Sequence, residues 1–165
     1  MSSSTDAQAM IINATSFTPA KDLKYAKPKA NPQGGKTISI YNSHTNKSLY
    51  ISTPLMLTWG VSEFVDDKTG KKSYSMALQF PGSDYATDGT TKFLKAMQDF
   101  EKKIKADAIV NSKEWFNKPK LTDDVVDALF NPMLKYPKDK VSGEPDMTRS
   151  PTLNLKIPYY EGKFS

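Results

Sequence analysis

Pro81 and Gly82 separate two stretches of this chain that carry different hydrophobic periods. Before them, four segments alternate at period two: Thr37–Tyr41, Ser48–Ser52, Leu55–Val61 and Ser73–Phe80. That period places successive side chains on opposite faces, so each segment reads as a strand with one buried face. After them, Phe93, Met97, Phe100, Ile104 and Ala108 recur at spacings of four, three, four and four. This is the apolar stripe of one long helix, which Asp88 or Thr90 can cap. A shorter helix is predicted over Asp123–Phe130 after Thr122, with two acids in its first turn and Pro132 to stop it. A last strand, Thr152–Ile157, follows a loop over residues 131–151 that holds Pro132, Pro137, Gly143, Pro145 and Pro151.

The order is therefore an antiparallel meander of four strands, a helix, a long loop and a strand. It predicts a mainly β fold with a helical insertion, an OB-fold-like five-stranded barrel. The chain's 165 residues leave room for one such domain. Residues 1–20 are rich in Ser, Thr, Ala and Asn, with a short strand expected near Met10–Asn13. Residues 21–36 carry Lys21, Lys24, Lys27, Lys29 and Lys36 against Asp22 alone, broken by Pro28, Pro32, Gly34 and Gly35. The expected division is a flexible basic N-terminal arm, 1–35, and an OB-fold-like nucleic-acid-binding domain, 36–165. The basic stretch can follow a phosphate backbone or serve as a solvated linker.

Most chemistry is excluded by inventory. Cysteine is absent, so disulfides, thiolate metal sites and thiol nucleophiles are ruled out. The single histidine, His44, sits in Asn42-Ser43-His44-Thr45-Asn46, a turn without zinc-ligand spacing or a nucleophile motif. Asp66-Asp67 and Asp123-Asp124 are the adjacent acid pairs, and a turn and a helix start account for them. No catalytic residue, metal ligand or cofactor is predicted, and the chain reads as a non-enzyme. No apolar run approaches the length of a membrane span, and the first ten residues lack a secretory pattern, so an intracellular protein without membrane contact is expected.

Of 23 basic residues, Arg149 is the sole arginine, and the net charge is +5. Lysine is a flexible point charge suited to phosphate, whereas arginine reads base edges through a planar fork. A lysine surface thus favours contact with a polyanion irrespective of sequence. Binding a single strand also requires aromatic faces for base stacking. Lys71-Lys72-Ser73-Tyr74, Lys113–Lys120 and Lys135-Tyr136-Pro137-Lys138 interleave the two residue types. The candidate nucleic-acid-binding residues are Lys71, Lys72, Tyr74, Lys113, Trp115, Lys118, Lys120, Lys135, Tyr136 and Lys138, expected along one groove. Trp115 and Tyr136 are placed outside regular elements, and Tyr74 shares the large-residue face of its strand. Trp59 is expected in the core, on one face with Leu55 and Leu57.

The runs Phe116-Asn117-Lys118-Pro119-Lys120, Phe130–Lys138 and Ser150–Pro158 resemble the single-stranded DNA-binding proteins of large nucleocytoplasmic DNA viruses of the phycodnavirus and mimivirus type. Those are distantly similar to the podovirus phage single-stranded DNA-binding protein. The likeness covers roughly residues 36–165. It implies an OB-fold barrel with an extra helix, a role in viral DNA replication, recombination and repair, homodimers, and replication proteins as partners in the host cytoplasm or nucleus. Members usually continue into closing strands and an acidic tail, whereas this sequence ends Tyr160-Glu161-Gly162-Lys163-Phe164-Ser165. A barrel truncated at that end would be open along one edge, where a partner chain could add a strand. The expected function is sequence-independent binding of single-stranded DNA. The alternative is a viral structural or scaffold protein whose aromatics form a core and a subunit interface.

Overall fold

The structure, a computed structural model, describes residues 11–164. The fold is mixed, with 27% helix and 31% strand, and among the described residues it contains no closed barrel. The expected mainly β barrel is corrected in that respect. Its strands are distributed over five sheets among the described residues, four of them two-stranded. The chain divides into two compact units, one built from residues up to Pro54 with Lys92–Asn131, the other from Leu55–Thr91 with Pro132 onward.

The first unit begins with β1 (Ile11–Asn13), α1 (Pro19–Asp22), β2 (Leu23–Tyr25), β3 (Lys29–Ala30), β4 (Lys36–Thr37), β5 (Ile40–Asn42) and β6 (Tyr50–Ser52). The described part of the expected N-terminal arm, residues 11–35, thus carries α1 and three short strands. Met10 and the residues before it lie outside the described residues. Beyond them, Ala14 and Phe17 are buried, at 1% and 5% exposure. Asp22, also buried, accepts from the Thr18 backbone N–H at 2.7 Å and stands 2.8 Å from the His44 ring. The Ser43 N–H donates to the Asp22 carbonyl at 3.0 Å. These bonds join the segment to the 42–47 turn.

The first expected hairpin is present at its turn end, where Tyr41 bridges Ser48 antiparallel and the Leu49 N–H donates to the Ile40 carbonyl at 3.3 Å, but its strands also take other partners. The Asn42 N–H donates to the Lys47 carbonyl at 2.8 Å, and Asn46 takes the left-handed conformation at φ 55°. Yet β5 pairs antiparallel with β2, and β6 pairs parallel with β1. Alternation identifies a strand but carries no information about which strand lies beside it.

Helices α2 (Asp88–Val110), α3 (Ser112–Phe116) and α4 (Asp123–Leu129) follow. The predicted stripe of α2 is inward: Phe93, Met97, Phe100 and Ala108 are buried and Ile104 is half-buried. Phe17 meets Phe100 edge to face at 5.7 Å. Farther along, Ala108, Trp115, Leu121 and Val126 form an apolar cluster with Tyr25, Ile38 and Ile109. Asn117, at φ 56°, closes α3 by donating its N–H to the Lys113 carbonyl at 3.0 Å.

The second unit holds the one larger sheet, ordered β7-β8-β10-β9. Its strands are β7 (Leu57–Val65), β8 (Lys72–Gln79), β9 (Leu134–Lys135) and β10 (Thr152–Ile157), all antiparallel to their neighbours. Asp66 makes the β7–β8 turn. Its carboxylate accepts from the N–H groups of Lys68 and Thr69 at 2.9 and 2.7 Å, while Gly70 takes φ 67°. A hairpin of β11 (Tyr159–Tyr160) and β12 (Lys163–Phe164) follows β10. Helix α2 starts in this unit, and its cap is Thr87 with Thr90, not Asp88: each N–H donates to the other's hydroxyl, at 3.0 and 3.1 Å.

Phe100→Ala removes a ring that is 8% exposed and should cost about 3 to 5 kcal/mol. Lys102→Ala, on the exposed side of α2, should stay within about 0.5 kcal/mol. Thermal melts of both variants check this, and a Phe100→Ala melt matching the parent would remove α2 from the core.

Candidate nucleic-acid interface

Strand register sorts the larger sheet into two chemically different faces. Leu78 pairs with Leu153, and Leu153 with Leu134. These three are 6%, 5% and 2% exposed, so the face they share is dry at that end. Tyr74 and Met76, four and two residues back from Leu78, lie on it too, opposite Ile157 and Leu155. The expected large-residue face of this strand is therefore the inward one.

The other face is made of small and polar residues. One row across the sheet runs Leu57, Gln79, Thr152, Lys135. The next holds Ala77 and Asn154, then come Ser62, Ser75 and Lys156, then Phe64 and Ser73. Rows on one face stand about 6.7 Å apart and strands about 4.8 Å apart. The floor is thus a shallow surface of hydroxyl, amide and methyl groups. Lys135 and Lys156 stand on its β9 and β10 side, and Phe64 on its β7 side. Lys135, Asn154, Lys156 and Phe64 are exposed.

Trp59 belongs with them. The β7–β8 register shifts between Thr58 and Val61, so Trp59 and Gly60 together oppose Ala77. Gly60 adopts φ 96°, with nothing within 4 Å of where a Cβ would stand, a conformation only glycine takes without strain. Alternation from Leu57 keeps Trp59 on the small-residue face. The indole is 84% exposed, with Leu55 at 99% and Leu57 at 61%. This corrects the core assignment of Trp59. Among the described residues, strand β7 has a neighbour on one side only, and the bulge lies on this edge strand.

The opposite face has its own polar contact near the hairpin end. The Tyr74 hydroxyl donates to Glu63 Oε2 at 2.6 Å, and Lys72 pairs with Glu63 at 3.2 Å. The Tyr74 ring also packs on Tyr159 at 4.7 Å and Phe164 at 5.0 Å. That hydrogen bond pushes the Tyr74 hydroxyl up to about 12. The same bond, followed by Lys72, holds the Glu63 carboxyl below the usual carboxylate range.

The ten candidate residues are distributed as follows. Lys113, Trp115, Lys118 and Lys120 belong to the first unit; Lys71, Lys72, Tyr74, Lys135, Tyr136 and Lys138 belong to the second. Trp115 is corrected: it lies within α3, is 8% exposed, and meets Tyr25 edge to face at 4.9 Å, so no ring face is open for stacking. Lys113, Lys118 and Lys120 are exposed. Tyr74 is half-buried in its aromatic cluster, and Lys72 is committed to Glu63. Lys71 and Lys138 are exposed, and Tyr136 is half-buried between β9 and the bridge that pairs Lys138 with Pro145. Of the ten, Lys135 lies on the small-residue face. Trp59, Phe64 and Lys156 join it there without having been singled out. The period-two pattern already marked Ser73, Ser75, Ala77 and Gln79 as a wet face; what it lacked was the strands on either side.

Comparison with family models, curated proteins and solved structures finds no match to this chain. Among the described residues, no helix is long and apolar enough to cross a membrane.

Glu63 has a depressed carboxyl, so its bonds to Tyr74 and Lys72 are fully present above the usual glutamate pKa and fade as pH falls through its lowered value. Tyr74→Phe deletes the leading cause. The Glu63 carboxyl should then titrate closer to the ordinary value, an upward shift read by carboxyl-carbon NMR. An unchanged Glu63 titration would contradict the pairing.

Proposed function

We propose that this protein binds single-stranded DNA without sequence preference, through the small-residue face of the β7-β8-β10-β9 sheet. The observation that supports it is the combination on one wet face of two exposed rings, Trp59 and Phe64, with two lysines, Lys135 and Lys156. Bases need flat apolar surfaces, and Trp59 and Phe64 offer them from the β7 side. Phosphates need cations, and Lys135 and Lys156 offer them from the β9 and β10 side. Small residues between the two columns let a strand lie close to the sheet. The binding is non-enzymatic, since stacking and ion pairing require no reacting group. On the likeness read from residues 116–158, its setting is viral DNA replication, recombination and repair inside the host cell, with replication proteins as partners.

One observation favours the second reading, a structural or scaffold role with contact between copies. Strand β7 lies at the sheet edge, and Leu55, Leu57, Val61 and Val65 on it or beside it are exposed. Such an edge can accept another strand, from a homodimer partner among others. Sedimentation with and without oligonucleotide separates the readings: mass that depends on protein concentration alone favours self-association.

Fluorescence titration with oligo-dT tests the DNA reading. The chain has two tryptophans, and Trp59 is the exposed one. Binding should quench its emission and weaken as salt rises. Trp59→Ala should cost about 1 to 3 kcal/mol of affinity with little change in the log–log salt slope. Lys156→Ala should lower that slope by about 0.7. If neither variant changes affinity twofold in folded protein, the sheet face is not the binding surface.

A further inference from the structure

The first unit contains an apolar pocket of about 320 Å³, unrelated to the sheet of the second. Its walls include Tyr25, Ile38, Ile104, Trp115, Leu121 and Val126. The lining offers little to a polar guest. The Tyr25 hydroxyl donates to Asp107 Oδ2 at 2.7 Å, and Asp107 also pairs with Lys103 at 2.9 Å, so this polar tip is turned to an internal partner. The pocket opens past Phe116 and Leu129, which also line it and are 46% and 73% exposed.

A lysine is tied to the α3 segment that carries Phe116 of the lining. Lys36 Nζ donates to the Glu114 carbonyl at 2.5 Å and to Asn117 Oδ1 at 2.8 Å. These two acceptors bracket Trp115 and Phe116, both of which line the pocket. Both are neutral oxygens, so the ammonium is held in place with its charge uncompensated by them. The positioning follows from local structure. Lys36 ends the basic loop in β4, two residues before Ile38 of the pocket wall, and Asn117 is the left-handed residue that closes α3.

We propose that this pocket binds a medium-chain carboxylate, its hydrocarbon chain against the apolar lining and its carboxylate on Lys36. Volume sets the guest. An apolar cavity of about 150 Å³ holds one benzene-sized molecule, so this pocket takes a chain of about eight to ten carbons. Charge sets the head group: one exposed ammonium, already oriented by two neutral acceptors, matches one carboxylate. Mouth and wall together select an amphiphile over a wholly polar anion, which would leave the apolar lining wet. The proposal is independent of the DNA reading, and the test contains no oligonucleotide.

Calorimetric titration of the full chain with hexanoate, octanoate and octan-1-ol tests it. Octanoate should bind saturably, at least fivefold tighter than octan-1-ol. Hexanoate should bind about fifteenfold more weakly than octanoate, at about fourfold per methylene. Lys36→Met, at an exposed position, should erase the preference for acid over alcohol and leave octan-1-ol binding unchanged. Phe116→Ala, at the half-open mouth, should weaken both ligands. Absence of saturable octanoate binding at 10 mM (about 3 kcal/mol of affinity) would overturn the pocket assignment. Equal affinity for acid and alcohol, or an acid preference that survives Lys36→Met, would overturn the role of Lys36.

Discussion

Strand β8 has a neighbour on each side, and its register against both decides what the second unit keeps dry. Leu78 lies opposite Leu153, and Met76 opposite Leu155. A slip of one residue would turn Ser75 and Ala77 inward and expose Leu78. That penalty pins the sheet. Because it is pinned, the opposite face must consist of Ser73, Ser75, Ala77 and Gln79, and the candidate interface is a consequence of the same constraint. The turn at Asp66 and Gly70 sets β7 against β8, and the bulge at Gly60 then presents Trp59 outward.

The first unit is organised differently. Its strands are two or three residues long, so the apolar stripe of α2 supplies most of the surface on which it condenses. Short strands are marginal alone and need packing against a helix. The buried Phe17 and the Asp22 bonds draw the N-terminal segment into that arrangement. The pocket forms where α3 and α4 meet the far end of the stripe, and half-buried Ile104 is one of its walls. Aromatic residues thus take opposite roles in the two units. Trp115 belongs to a core cluster, while Trp59 stands in solvent.

Lysine has a similar double use. Lys72, Lys95, Lys103 and Lys105 are each committed to a carboxylate within 3.2 Å. A count of lysines therefore overstates the charge available to a polyanion, and position on a face matters more. Lys156 sits on such a face because residues of β10 alternate. Tyr74, beside Lys72 in sequence, is tied to Glu63 and to Tyr159 instead.

The sequence alone determined which segments are strands and helices wherever the period was long enough to read. It located α2 and its buried side, α4, β8 with its two faces, β10, and the Asp66–Gly70 turn. These are local properties: period, turn chemistry and caps involve residues within a few positions of one another. Pairing is not local. The parallel partner of β6 is β1, some forty residues earlier, and β9 reaches β10 across the Pro-rich loop. No periodicity reports such partners, so the expected four-strand meander and five-stranded barrel gave way to several small sheets. Exposure of a ring is likewise a tertiary outcome. Trp59 alternates like a core residue, yet it lies on an edge strand at a bulge; Trp115 is flanked by lysines like a surface residue, yet Tyr25 and Val126 close over it. Alternation says which residues share a face, and only the neighbouring elements decide whether that face meets protein or water.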